Sequence, residues 1–423
     1  MLQINTIRLH SQDIIESLKK KNFDAAEIIQ QLLEVDNQRR ATQKKLDDKL
    51  SESNNLAKEI GNLFKSGQQK QANEKREQTS ELKQLVKELQ DDLAQLESEQ
   101  ESLLVLIPNV PYDDVPPGHS SEDNEIMKQE GEIPLLEEEA LPHWELAAKY
   151  GLIDFELGTK ITGAGFPVYR GKGARLQRAL ISFFLDEAIN AGYTEFQPPL
   201  LVNEASAFAT GQLPDKDGQM YHAPLDNLYL IPTAEVPVTN FYRDMILKED
   251  ELPVKSTAYS VCFRREAGSY GKDVRGLNRL HQFDKVEIVQ VTQPDKSYQT
   301  LEMMLEYVCS ILRKLELPFR VAKLCGGDLS FASAKTYDME VYSTAQKRWL
   351  EVSSISNFET FQSNRLKLRY KDKEGKIQLA HTLNGSALAL PRIVAALLEN
   401  HQTPEGIRIP KALAVYTGFD VIS

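Results

Sequence analysis

Apolar residues recur at alternating three- and four-residue steps early in the chain. Ile28, Leu32, Val35, Leu46, Leu56, Ile60 and Leu63 share one register, the spacing of a helix face. Arg39, Thr42, Lys49 and Ser53 fill its remaining slots, so the seam is partly polar. Leu82, Leu85, Leu89, Leu93, Leu96 and Leu103 repeat the pattern. Between the runs stands Lys65-Ser66-Gly67-Gln68, with glycine as the breaker. This predicts an antiparallel two-stranded coiled coil folded back on itself. A helix of roughly 35 residues is about 50 Å long. Such a hairpin has almost no interior and is expected to project into solvent. The pattern alone fits a rigid spacer, a protein-binding rod or an arm reaching a large ligand such as a folded RNA.

The texture then changes. Pro108, Pro111, Pro116 and Pro117, with Gly118, stop any helix and place a boundary near 108–125. An acidic run, Glu137-Glu138-Glu139, precedes a short helical segment around Trp144 to Tyr150. Beyond about residue 165, helical periods at Ala174 to Ala191 and Ala387 to Glu399 alternate with short strand-like runs. These are Phe196–Val202, Leu228–Ile231, Ala258–Phe263, Lys285–Val291 and Arg320–Leu324. Hairpins and long loops between strands, with helices set apart, predict an α+β domain around an antiparallel sheet.

Composition narrows the class. With 41% hydrophobic and 26% charged residues among 423, the chain is a globular protein long enough for two or three domains. Apolar runs such as Ala387–Leu390 are too short to span a bilayer. The start MLQINTIRLH has no apolar core followed by a cleavage site, so no secretory signal is expected. Cys262, Cys309 and Cys325 are dispersed and odd in number, which suits a reducing compartment and offers neither a disulfide framework nor a zinc knuckle. A net charge of -12 argues against non-specific nucleic-acid binding. A local basic track from Arg264 to Arg279 runs against that bulk sign.

That track is the main candidate for chemistry. Phe263-Arg264-Arg265-Glu266-Ala267-Gly268 and His281-Gln282-Phe283-Asp284-Lys285-Val286-Glu287 read as strands joined by the loop Ala267 to Arg279. Gly268, Gly271 and Gly276 make the loop pliable, and Arg264, Arg265, Lys272, Arg275 and Arg279 make it basic. An arginine on a strand can aim a rigid donor fork at a phosphate. A surface hairpin balanced by Glu266, Asp273 and Asp284 is the plainer alternative. Glu351-Val352-Ser353-Ser354 sets a carboxylate and a hydroxyl three residues apart, oxygen ligands that suit Mg²⁺ beside a polyphosphate. Thr382-Leu383-Asn384-Gly385-Ser386 reads as a small polar turn before an apolar helix carrying Arg392. Thr233-Ala234-Glu235 follows a strand-like run, and Glu235 and Glu287 are candidates for holding an ammonium group. No P-loop, HExxH or CxxC occurs, and the glycines at 163–165 and 171–173 lack a dinucleotide-fold context.

Five stretches in order resemble the seryl-tRNA synthetase family of the bacterial type, a class II aminoacyl-tRNA synthetase. They are GYTEFQPPLLV at 192–202, IPTAEVPVTN at 231–240, CFRREAGSYGKDVRGLNRLHQFDKVE at 262–287, EVSSISNF at 351–358 and HTLNGSALALPR at 381–392. The resemblance covers nearly the whole chain. It implies an N-terminal tRNA-binding domain at 1–110 with the coiled-coil arm, and a catalytic domain at 111–423. It implies activation of L-serine with ATP and transfer to tRNA(Ser), and to tRNA(Sec) where the organism has it. A cytoplasmic homodimer with Gly192 to Pro199 at its interface follows from the same likeness. No membrane or DNA partner is expected. Thr233, Ala234, Glu235, Glu287, Asn384 and Ser386 would form the serine pocket with Arg264. Arg264, Arg265, Glu266, Arg279, Phe283, Glu351, Val352, Ser353, Ser354 and Arg392 would bind ATP. Arg264 and Arg392 would act catalytically on the phosphates, while Glu351 and Ser354 would hold Mg²⁺.

The chain departs from the family pattern at Arg265, where serine is common, and at Ala387 and Pro391, where glycine is usual. Pro391 costs little inside a first helical turn, but a loop needing its amide would misplace Arg392. Two alternatives have different consequences. A small-amino-acid ligase that loads a carrier protein would lack the arm, and a non-catalytic RNA-binding relative would lose the arginine–glutamate set.

Overall fold

The computed structural model describes residues 1–135, 140–215, 217–266 and 275–423. The acidic run Glu137–Glu139 and the loop residues Ala267, Gly268, Gly271, Lys272 and Asp273 lie outside the described residues. The chain divides into two compact units. One comprises Leu2–Lys19 and Phe23–Pro108, and the other Met1, Lys20–Asn22 and Asn109–Ser423.

The first unit is dominated by α1 (Ala26–Lys65) and α2 (Gln69–Leu104). At 40 residues, α1 is about 60 Å long. Gly67, at φ 77, makes the expected reversal. The Ser66 and Gln68 amides donate to the carbonyls of Asn62 and Leu63, each at 3.0 Å. Leu32, Val35 and Leu46 on α1 are buried, as are Leu82, Leu93 and Leu104 on α2. Thr42, Lys49 and Ser53 are half-buried at the seam, matching its partly polar reading.

Three positions differ by one residue from the expected register. Leu85 is exposed while Val86 is half-buried, and Ile29 and Leu104 are more buried than Ile28 and Leu103. A 3.6-residue helix drifts against a strict three-and-four count over such lengths. Near the start of α1, the short helices Ile4–Leu9 and Ser11–Leu18 also add a second packing face. Asp36 is fully buried there. It accepts from Arg8 Nε at 2.8 Å and Gln100 Nε2 at 3.0 Å, with Arg39 at 3.4 Å. A buried carboxylate needs such partners.

The second unit is built on an eight-stranded sheet. Its strands in chain order are β1 (Glu125–Glu130), β2 (Thr194–Phe196), β3 (Val254–Phe263), β4 (Gln282–Thr292), β5 (Phe319–Lys323), β6 (Lys335–Ser343), β7 (Arg348–Glu359) and β8 (His381–Ala389). Their spatial order is β1–β5–β6–β7–β8–β4–β3–β2. All neighbours run antiparallel except β2, which joins β3 in parallel at the edge. The α+β expectation holds, with one parallel pair added.

One face of the sheet carries the core. Helices α3 (Gly171–Asn190), α4 (Ser297–Lys314) and α5 (Leu390–Asn400) bring Leu180, Phe183, Met304, Val308, Ile393 and Leu397 against Val286, Ile288, Ile355 and Leu383 of the strands. Apolar side chains at helical spacing on α3, α4 and α5 meet apolar side chains at alternate strand positions, which is what welds these layers. The three cysteines are buried and free. Among the described residues no helix is long and apolar enough to cross a membrane.

Two local expectations are corrected. Phe196–Val202 is not one strand: Pro198-Pro199 ends β2 after Phe196, and Leu201–Asn203 pairs with Leu228–Leu230 in a separate small sheet. Thr382–Ser386 is not a turn. It is the middle of β8, between β7 and β4, and the helix begins at Leu390 and not at Ala387. Pro391 falls in the first turn of α5, where it is tolerated.

Candidate active site

The face of the sheet opposite the core is lined by polar residues at strand period. On β4, Phe283, Lys285 and Glu287 face a cavity of about 560 Å³, while Val286 and Ile288 face the core. On β8, Asn384 and Ser386 face the cavity, and Leu383 and Ala387 the core. The adjacent strand β7 contributes Glu351 and Ser354. Three residues apart, they would point to opposite faces of a regular strand. A register shift pairs Met339 with Ser353 but Glu340 with Glu351. This bulge at Val352 restores both to the cavity side.

The buried end of the cavity is a compact set of ionisable groups. Thr233 Oγ1 donates to Glu287 Oε2 at 2.9 Å, and Lys285 Nζ forms an ion pair with the same oxygen. Glu235 accepts from Gln362 Nε2 at 2.6 Å, and its amide donates to Thr233 Oγ1 at 3.2 Å. Gln362 is oriented in turn by the Thr382 hydroxyl at 2.7 Å. Asn384 Nδ2 makes no hydrogen bond of good geometry. Burial, reinforced by the charge of Glu287, pushes the Glu235 carboxyl up to about 7, against the weaker pull of Gln362, Lys285 and Asn384. Two acids sharing one cation leave this pocket suited to a second, incoming positive group.

The middle and open side carry the arginines. Arg264 donates from Nε to the Pro232 carbonyl at 3.3 Å, and its guanidinium lies 5.2 Å from the Phe283 ring centre. Arg279 Nε donates to Glu266 Oε2 at 2.7 Å. Arg392 donates from Nε to the Asn278 carbonyl at 3.1 Å and from Nη1 to the Glu351 carbonyl at 2.6 Å. Its guanidinium is also 3.6 Å from the Glu351 carboxylate. Arg279 and Glu351 are about half exposed, at 48% each, so they form the rim where a polyphosphate would meet solvent. Ser353 Oγ donates to the Ser386 carbonyl at 2.6 Å, tying β7 to β8.

Nearly all sequence-selected residues converge on this cavity. Arg265 and Ala234 do not line it. Arg265 is exposed, with its guanidinium 5.8 Å from the Tyr221 ring, and Ala234 is buried among Val238, Ala258 and Val289. Val352 reaches the cavity wall, although its side chain belongs to the core. Sequence reasoning overlooked Lys285, Gln362 and Asp338. Lys285 was legible, because it stands two residues from Glu287 and so on the same strand face. Gln362 gave no local signal. Asp338 lies opposite Ser354, and burial, with the charge of Glu351, raises its carboxyl well above the usual range against a hydrogen bond from Ser354. Among the described residues, no group of three His, Cys, Asp or Glu side chains could hold a metal alone. Glu351 and Ser354 on one face still fit Mg²⁺, which takes one or two protein oxygens and completes its shell with phosphates and water.

A mainly antiparallel sheet with an arginine-rimmed polar cavity on its open face defines a class II aminoacyl-tRNA synthetase core. The family model for the tRNA synthetase class II core domain (G, H, P, S and T) matches residues 221–401, and that for the seryl-tRNA synthetase N-terminal domain matches 1–111. A serine–tRNA ligase of Salinibacter ruber is 51% identical, over 99% of this chain and 98% of the relative. The seryl-tRNA synthetase of Pyrococcus horikoshii complexed with ATP superposes with a TM-score of 0.92 at 32% identity, covering 100% of this chain and 99% of that one. The cytoplasmic serine–tRNA ligase of Naegleria fowleri in complex with AMP gives 0.87 at 27%, with the same coverage. The chain belongs to the seryl-tRNA synthetase family.

The raised Glu235 carboxyl has a consequence for stability. Its folded pKa of about 7 exceeds the unfolded value near 4.5, so the folded state holds a proton that the unfolded state has released. Stability from this group is intact below about pH 4.5 and is lost as pH rises through about 7. Glu235→Gln is therefore expected to stabilise the chain at pH 8, by up to about 3 kcal/mol, and by much less at pH 5. Urea denaturation at both pH values measures this. A variant no more stable than wild type at pH 8 contradicts the burial argument.

Proposed function

We propose that this chain is a serine–tRNA ligase whose cavity activates L-serine with ATP and then passes it to tRNA. The observation that carries the reading is the closed acidic pocket of Thr233, Glu235 and Glu287 beside the Arg264–Phe283 pair. Glu235 and Glu287 hold the serine ammonium, with Thr233, Asn384 and Ser386 around its hydroxyl. Ala234 has only its main chain to offer. A pocket built of buried hydrogen-bonding groups discriminates strongly against analogues that leave those groups unpaired. Phe283 supplies a face for the adenine and Glu266 an edge acceptor. Arg264 holds the α-phosphate and orients the serine carboxylate. Arg279 and Arg392 receive the outer phosphates. Arg265 reaches ATP only by leaving the Tyr221 ring.

The chemistry follows from placement. A serine carboxylate oxygen attacks the α-phosphorus in line, the bond to the β-phosphate bridging oxygen breaks, and pyrophosphate leaves. Arg264 meets charge growing on the transferring phosphate, and no protein nucleophile is needed because the attacking atom is already an anion. Glu351 and Ser354, together with main-chain atoms of Val352 and Ser353, line the side where Mg²⁺ would be held. Bound there, the ion would neutralise charge on the leaving pyrophosphate. A terminal ribose hydroxyl of tRNA then attacks the mixed anhydride carbonyl, and AMP leaves.

We assign tRNA(Ser) binding to residues 1–110 and catalysis to 111–423, with tRNA(Sec) charged where the organism has it. Family likeness supports a cytoplasmic homodimer. The partly polar seam and the acidic chain favour recognition of the shape of a long tRNA over attraction to a broad basic surface.

Three outcomes test this reading. ATP–pyrophosphate exchange across all amino acids is expected only with serine, and exchange with another amino acid alone refutes the substrate. Arg264→Ala is expected to fold and to lose at least about 100-fold in exchange rate, as the loss of a fixed charge partner to a transition state does. Near-normal exchange removes Arg264 from its role. Deleting about residues 30–98, the length of the α1–α2 hairpin, should spare exchange and abolish tRNA charging. Unchanged charging refutes the arm's part.

A further inference from the structure

A buried histidine outside the cavity is wired to its rim. His143 and Glu399 both have fully buried side chains. The Leu277 amide donates to His143 Nε2 at 2.8 Å, so that nitrogen carries no proton. His143 Nδ1 then donates to Glu399 Oε1 at 2.7 Å, and the His143 amide donates to the same oxygen at 3.0 Å. Gln346 Nε2 donates to Glu399 Oε1 at 3.1 Å, and Asn278 Nδ2 donates to Gln346 Oε1 at 3.0 Å. The Asn278 carbonyl accepts from Arg392 Nε at 3.1 Å. Arg392 and Glu399 are seven residues apart on α5, and so share a helix face. The hydrogen bonds therefore close a ring from α5 through residues Leu277 and Asn278 and back to α5.

This ring has more than a packing purpose. A buried ion pair often stabilises a fold no better than apolar side chains of similar volume. Its directionality, however, fixes one orientation of the Gly276–Leu277 peptide. Gly276, at φ 67, runs directly over the ring: a Cβ there would stand 2.2 Å from His143 Nε2. Arg279, directly after Asn278, is paired with Glu266. The segment that His143 holds at Leu277 thus carries, one residue on, the Asn278 carbonyl that aims Arg392, and it leads directly into Arg279.

We propose that His143, through the Leu277 amide and through Glu399 and Gln346 to Asn278, is a positioning residue that sets Arg279 and Arg392 for the outer phosphates of ATP. It touches no substrate itself. The inference rests on the functional reading above and deepens it: the ring tunes nucleotide binding and leaves serine binding alone.

Asparagine and glutamine separate the two ends of the imidazole. His143→Asn keeps a donor near the Nδ1 position and removes the acceptor for Leu277. His143→Gln keeps an acceptor near the Nε2 position and removes the donor to Glu399. KM values for ATP and for serine are measured by pyrophosphate exchange on the full chain. His143→Asn is expected to raise the ATP KM roughly tenfold, as loss of one buried hydrogen-bond partner does, with the serine KM within about twofold. His143→Gln should stay within about threefold of wild type for ATP. Equal ATP KM values for the two variants, or equal rises in both KM values, overturn the proposal, since a merely loosened fold would produce them. Should His143→Asn not fold, Gln346→Met cuts the ring at another point. An ATP-specific rise of about threefold or more supports the proposal, and no rise or an equal rise in both overturns it. A wild-type chain without serine-dependent exchange fails the functional reading itself. Intact wild-type exchange with an unchanged ATP KM in the variants fails this inference alone.

Discussion

Two carboxylates and one ammonium are taken out of water on the open face of one sheet, and much of the site is arranged around that cost. Glu287 is satisfied by Lys285 and Thr233. Glu235 accepts its short hydrogen bond from neutral Gln362, and burial beside Glu287 pushes its carboxyl up. Full ionisation of both acids without another cation is unfavourable. The two acids therefore share one buried cation, and in the proposed reading the ammonium of serine would supply a second.

Sheet geometry converts this electrostatic demand into position. Along β4 and over Thr382–Ala387 of β8, core and cavity are served by alternate side chains, so the apolar packing that stabilises the unit also fixes where the polar groups point. On β7 a bulge at Val352 breaks that rule and lets Glu351 and Ser354 share a face, and a second register shift falls between Asn357 and Glu359. Pro391 shows the same economy. It occupies a first helical turn that needs no amide hydrogen, and Arg392 is held beside it by two main-chain carbonyls.

What was legible in the sequence follows the range of the interactions. Helical spacing around Leu32, Leu46, Leu82 and Leu93 is local, and the hairpin follows from it. Small errors such as Leu85 for Val86 come from helix drift, which a residue count does not track. The polar segment Thr382–Ser386 was misjudged because its composition looks like a turn. Yet Thr382, Asn384 and Ser386 alternate with Leu383 and Ala387, which is the strand period of β8. Its burial depends on β7 and β4 closing on both sides, and composition cannot show that. Lys285 was visible by its two-residue offset from Glu287. Gln362 and His143 were not, because each acts through partners more than 100 residues away in sequence.

The hairpin of α1 and α2 differs in kind from the sheet. Each of its layers packs mainly on the layer opposite, and its only knot of buried charge, among the described residues, is at Asp36, far in sequence from Gly67. Its length is therefore a nearly free variable. Adding seven residues to each helix on either side of Gly67 would preserve the seam register and extend the rod by about 10 Å. No strand, bulge or buried ion pair of the catalytic unit would need to change. Reach can thus change without touching the chemistry, because the extent of the rod is set by helix length and the polar cavity by the sheet.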